Sequence, residues 1–66
     1  MTILTKREKE VFELLLSNKT TREIGSILFI SEKTVRNHIS NVICKLGVTD
    51  RSQAVLELIR MNEITI

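Results

Sequence analysis

Thr20-Thr21-Arg22-Glu23-Ile24-Gly25-Ser26-Ile27-Leu28-Phe29-Ile30-Ser31-Glu32-Lys33-Thr34-Val35-Arg36-Asn37-His38-Ile39-Ser40-Asn41-Val42-Ile43-Cys44-Lys45-Leu46 is two helical patterns joined by almost nothing. The first groups Ile24, Ile27 and Leu28 on one side. In the second, at 100° per residue, Val35, Ile39, Val42, Ile43 and Leu46 fall within about 100° of arc, the narrow stripe of a helix buried on one side only. Its other side carries Lys33, Arg36, Asn37, Ser40, Asn41 and Cys44. Only Phe29, Ile30 and Ser31 separate the patterns, and so short a connection forces the two helices into a tight corner. Gly25 lies inside the first of them, where it costs roughly 1 kcal/mol relative to Ala. Close approach of the following helix would offset that cost, because a larger side chain would hold the two apart.

The start signals repeat outward from this segment. Thr20 with Glu23 and Thr5 with Glu8 fit the capping box, in which a hydroxyl accepts from the N3 amide and a carboxylate reaches back to the cap. Ser31 is an N-cap before Glu32, whose charge suits the positive end of a helix. Asp50 with Gln53 is a looser version. Asn18 and Lys19 interrupt the first periodic run, Gly47 suits a left-handed cap after Leu46, and Asn62 suits the same role at the end. These marks predict helices near 6–17, 21–28, 32–46 and 51–61, an all-α, four-helix architecture. The first helix gathers Val11, Phe12, Leu14, Leu15 and Leu16 on one broad arc.

Composition limits the function. Sixty-six residues are expected to make one domain over 1–66, too short for an enzyme with a substrate lobe. No run of 18 apolar residues is present and no charged segment leads into an apolar one, so no membrane partner and no secretory signal are expected; the reading is cytoplasmic. One cysteine and one histidine cannot build a structural zinc site. No paired acids, glycine-rich phosphate loop or metal spacing stands out, so no cofactor, no small-molecule ligand and no catalysis are expected. Net charge is only +2, but it is unevenly spread. Residues 19–51 hold Lys19, Arg22, Lys33, Arg36, Lys45 and Arg51 against Glu23, Glu32 and Asp50. A cationic centre on a small helical chain points to a polyanion.

Two helices around a three-residue turn, the second polar outward and basic at its start, are the pattern of a helix-turn-helix, here over about 21–46. A recognition helix presents its first turns to base edges in the major groove of double-stranded DNA. Arg forks onto guanine and Asn onto adenine, while Lys, Ser, Thr and helix N-termini bind phosphates. Lys33, Thr34, Arg36, Asn37 and Ser40 supply these types within two turns.

The runs Leu4-Thr5-Lys6-Arg7-Glu8, Glu23-Ile24, Ile30 through Ile39, Lys45-Leu46-Gly47-Val48 and Arg51-Ser52-Gln53-Ala54-Val55 resemble the LuxR-type DNA-binding domain over nearly the whole chain. The resemblance implies a four-helix domain, dimerisation through the last helix and control of transcription at promoters, with RNA polymerase as a further expected partner. It implies base-edge contacts from Arg36, Asn37 and Ser40, and backbone contacts from Thr20, Thr21, Lys33, Thr34 and Lys45. For Lys45, phosphate contact and plain solvation weigh equally, since a C-terminal Lys also complements the helix dipole. Gly25 departs from the Ala common in the family, a conservative change. The short start Met1-Thr2-Ile3 is not expected to supply a DNA-contacting arm. The chain has the length of a free-standing member, so control by synthesis and turnover is expected.

Other residues have plainer readings. His38 projects beside Val42 and is expected to pack at the core's edge. Cys44 is a surface thiol. Glu8 caps Thr5, with an inward pairing to Arg51 as an alternative. On the fourth helix Ala54, Val55, Leu56, Leu58, Ile59 and Met61 span an arc of about 220°, where one core face needs little more than 100°. The surplus, Leu56 on one flank and Met61 on the other, points to a two-fold seam, with Gln53, Glu57 and Arg60 between them. The reading is a homodimeric, sequence-specific DNA-binding regulator. Region four of a sigma factor and a helical protein-interaction module are the alternatives.

Overall fold

The computed structural model describes residues 3–65; the expectation for Met1 and Thr2 lies outside them. The helices run α1 Lys6–Leu16, α2 Thr21–Leu28, α3 Glu32–Leu46 and α4 Arg51–Arg60, with no strand among the described residues. The first helix ends one residue before the expected position, and so does the fourth. None of these helices is long and apolar enough to cross a membrane.

Each expected N-cap side chain accepts from its N3 amide, but Gln53 does not reach back to Asp50: its Oε1 accepts from Thr49. The Thr5 hydroxyl accepts from the Glu8 amide while the Glu8 carboxylate accepts from the Thr5 amide, and Thr20 and Glu23 do the same. Ser31 Oγ accepts from the Thr34 amide, and Asp50 Oδ1 from the Gln53 amide. Each cap satisfies an amide that the first helical turn leaves without a partner. Gly47 ends α3 in the left-handed region at φ 68°. Asn18 and Asn62 are also left-handed, at φ 65° and 60°, conformations that Asn tolerates better than most residues.

α3 is the central element and packs on α1, α2 and α4. Its stripe of Val35, Ile39 and Val42 meets Val11 and Phe12 of α1, Ile24 of α2, and Ala54 and Leu58 of α4 in one core. Burying a side chain such as Phe12, Ile24 or Leu58 stabilises by about 1.5–3 kcal/mol. Leu4 and Ile64 also join this core. Periodicity could not find them, because both lie outside the helices. The Ile3 amide donates to Glu63 Oε1 at 2.9 Å and holds the two ends of the described chain side by side.

The corner between α2 and α3 is tighter than the turn length alone required. A Cβ on Gly25 would sit 2.8 Å from the carbonyl oxygen of Ile30. The obstacle is therefore the backbone of the turn, not the side chains of α3. An Ala here is not the conservative change the resemblance suggested, because the turn would have to move. Glu8 does not pair with Arg51. Its carboxylate meets Lys45, and Arg51 is exposed at the start of α4.

Candidate nucleic-acid interface

The candidate surface is built on the outward side of α3. Val35, Ile39 and Val42 turn inward, so helical geometry turns Lys33, Arg36, Asn37 and Ser40 away from the core. All four are exposed. Lys33, Asn37 and Ser40 make no side-chain hydrogen bond among the described residues, which leaves their donors and acceptors open to a ligand. Arg36 is 61% exposed at its side chain, and its Nη2 donates to Glu32 Oε2 at 2.8 Å. A guanidinium has five N–H donors, so most of its hydrogen-bonding capacity is unused.

The remaining candidates sit at helix starts. Thr20 is the exposed N-cap of α2, and Thr21 follows it. The Thr21 hydroxyl donates to Glu32 Oε2 at 2.7 Å, which ties the start of α2 to the start of α3. Thr34 shares a 2.9 Å hydrogen bond with the Ser31 hydroxyl in the first turn of α3. Lys45 is placed differently. Its Nζ lies 2.6 Å from Glu8 Oε1 and 3.4 Å from the Ile3 carbonyl oxygen. At 100° per residue it lies about 180° around the α3 axis from Arg36. Seven of the eight candidates are thus gathered at the starts of α2 and α3 and along the outward side of α3. Lys45 stands apart, engaged with the protein itself.

Three neighbours of this surface carry no local signal for a place in it. The sequence marks Glu32 as a charge at a helix start, yet it bridges two candidates. Arg51 shares a shallow cleft with Arg36, Ile39, Ser40 and Ile43, which adds a second cation beside α3. Its position depends on how α4 docks, and nothing local marks it. Phe29 is 94% exposed and left-handed at φ 58°, a conformation that is strained for a bulky residue. Its amide and that of Ile30 both donate to the Gly25 carbonyl, closing α2. His38 is half-buried and Cys44 exposed, as their positions on α3 suggested.

α4 presents its own outward side. Leu56 and Met61 are 68% and 44% exposed, while Ala54 and Leu58 are buried. Gln53 lies between them and accepts from the Thr49 amide and hydroxyl. Glu57 and Arg60 also lie there and pair with each other. The five candidates share one side of the helix.

A short helix, a three-residue turn and a longer helix with an open basic and amide-bearing side define a helix-turn-helix DNA-binding domain. Comparison with known proteins gives the same class. The sequence model of bacterial regulatory proteins of the LuxR family matches residues 2–58, and the chain belongs to that family. It is 73% identical over 62 residues to the Spore germination protein GerE of Bacillus subtilis (strain 168), covering 94% of this chain and 84% of that protein. It is 53% identical over 58 residues to the Transcriptional regulatory protein DegU of Brevibacillus brevis, covering 88% of this chain but 25% of that longer protein. A solved structure of the transcription factor GerE superposes with a TM-score of 0.96 at 57% identity, covering 98% of this chain and 97% of that one. The chain is a GerE-like DNA-binding transcription regulator of the all-α LuxR type.

Proposed function

We propose that this chain binds two half-sites in promoter DNA as a homodimer and regulates late sporulation genes, among them those of the spore coat. Arg36, Asn37 and Ser40 read base edges. Thr20, Thr21, Lys33 and Thr34 hold the sugar-phosphate backbone, Thr21 through its main-chain amide at the start of α2 because its hydroxyl donates to Glu32, and Lys45 is the weakest member of that set because Glu8 already engages it. Residues 1–66 act as one unit, with the helix-turn-helix at about 21–46 and dimerisation through about 51–61 by Gln53, Leu56, Glu57, Arg60 and Met61. The similarity to a spore germination protein supports the sporulation role. The proposed setting is the cytoplasm of the bacterial mother cell, on the nucleoid, with RNA polymerase as a further partner. The mechanism is binding without catalysis: cations displace counterions from phosphate and α3 reads bases.

One observation carries this reading. Lys33, Arg36, Asn37 and Ser40 are exposed together on α3, directly after the turn at residues 29–31. Selection of bound duplexes from a random pool tests it, followed by a salt titration on the selected site. A dimer making about 6–10 phosphate contacts loses roughly 10³–10⁵ in affinity between 50 and 200 mM salt. A flat titration and an unenriched pool would remove DNA as the ligand.

A further inference from the structure

Oε2 of Glu32 accepts hydrogen bonds from two helices. The Thr21 hydroxyl at the start of α2 donates at 2.7 Å, and Arg36 Nη2, one turn along α3, donates at 2.8 Å. An exposed i,i+4 ion pair by itself orders its partners weakly. Here one member is anchored. Thr21 holds the carboxylate, and Glu32 stands at the first position of α3, where the helix start favours negative charge. The guanidinium must therefore come to the carboxylate. It uses Nη2 to do so and leaves its remaining N–H donors unengaged.

We propose that Glu32 is a positioning residue for sequence readout: its Thr21-anchored carboxylate holds the Arg36 guanidinium in one orientation, with the remaining donors directed to a base instead of sampling nearby phosphates. This rests on the reading of Arg36 as a base contact. Glu32 has a second, opposing effect, because a negative charge beside DNA weakens binding to every sequence alike. The anchored carboxylate thus trades overall affinity for discrimination.

The two effects separate in one experiment. Glu32→Ala and Glu32→Gln both remove the charge, but only Gln keeps an oxygen that can accept from Thr21 and Arg36. Affinities are measured on a duplex selected by the parent chain and on a scrambled duplex of equal length. Circular dichroism at the assay temperature confirms the fold. Both variants should bind the scrambled duplex more tightly by a similar factor. Glu32→Ala should lower the selected-to-scrambled ratio roughly threefold to tenfold, the range for re-ordering one flexible side chain on binding. Glu32→Gln should keep most of that ratio. In an Arg36→Ala background, Glu32→Ala should lower it no further. Equal ratios for the Ala and Gln variants, or an undiminished effect without Arg36, would overturn the proposal and leave the DNA reading intact. A ratio unmoved by Arg36→Ala alone would instead overturn the base-contact reading, and this proposal with it. If Glu32→Ala is too unstable to assay, Thr21→Val against Thr21→Ser makes the same comparison from the anchor's side, since only Ser keeps the hydroxyl.

Discussion

The ammonium of Lys45 lies 2.6 Å from Oε1 of Glu8 across 37 residues of sequence, and so fastens the last turn of α3 to the first turn of α1. Glu8 is 3% exposed. The same carboxylate oxygen accepts from the Thr5 amide at 2.9 Å. Burial opposes its charge and is the largest single influence on it. The Lys45 bond, the Thr5 amide, the Lys45 charge and the Thr5 hydroxyl together outweigh burial and hold the Glu8 carboxyl below its ordinary value of 4.5.

A carboxyl whose folded value is depressed contributes stability at pH above its unfolded value, and that contribution is lost as pH falls through the folded value. Lys45→Met should therefore destabilise the chain by about 1–2 kcal/mol near neutral pH, less than a fully enclosed pair because the Lys45 side chain is one-third exposed. The gap between parent and variant should close below pH 4.5. Urea unfolding followed by circular dichroism at several pH values measures it. A gap that is constant with pH would mean that Lys45 acts through its hydrogen bond to the Ile3 carbonyl and not through the Glu8 charge.

Readout and attachment should separate on α3. Arg36→Ala is expected to cost about 1–3 kcal/mol on the selected site and less on random duplex, because only the base-specific interaction is lost. Lys33→Ala should weaken both similarly. Equal proportional losses from Arg36→Ala would make Arg36 a phosphate clamp.

The outward side of α4 predicts what happens when the proposed seam is charged. Leu56 is 68% exposed, so Leu56→Glu leaves the interior of the protomer undisturbed. In a two-fold seam it brings two carboxylates near one axis and removes two apolar contacts, each worth about 1–2 kcal/mol. Sedimentation should show a monomer with parental helicity, and affinity for paired half-sites should fall steeply. A variant that sediments and binds as the parent does would place the seam elsewhere.

Phe29→Gly should stabilise the fold. The left-handed conformation costs an ordinary residue about 1–2 kcal/mol, and glycine adopts it freely, less what glycine adds to the unfolded chain's freedom. An almost fully exposed Phe29 side chain gives up no packing in exchange. A gain of about 0.5–1 kcal/mol, a rise of a few degrees in melting temperature, is expected. Gly25→Ala, which presses a Cβ on the Ile30 carbonyl, should lower the melting temperature despite its better helix propensity. A rise for Gly25→Ala would show that the turn yields easily.

The helices were legible in the sequence because their signals are local. Thr5 with Glu8, Thr20 with Glu23, Ser31 and Asp50 meet their partners three residues away, and those distances are set by the helix itself. The stripe of Val35, Ile39 and Val42 gave the buried side of α3, and so the open side with Arg36, Asn37 and Ser40. Tertiary structure alone decided the rest. Glu8 meets Lys45 instead of Arg51 because of where the end of α3 lies against the start of α1. Glu32 joins Thr21 to Arg36 because the α2–α3 corner brings two helix starts within hydrogen-bond reach. Leu4 and Ile64 enter the core from outside any helix. Periodicity fixes the direction of a side chain about its own helix axis, but a contact between helices depends on how their axes are placed, and no short-range pattern encodes that placement.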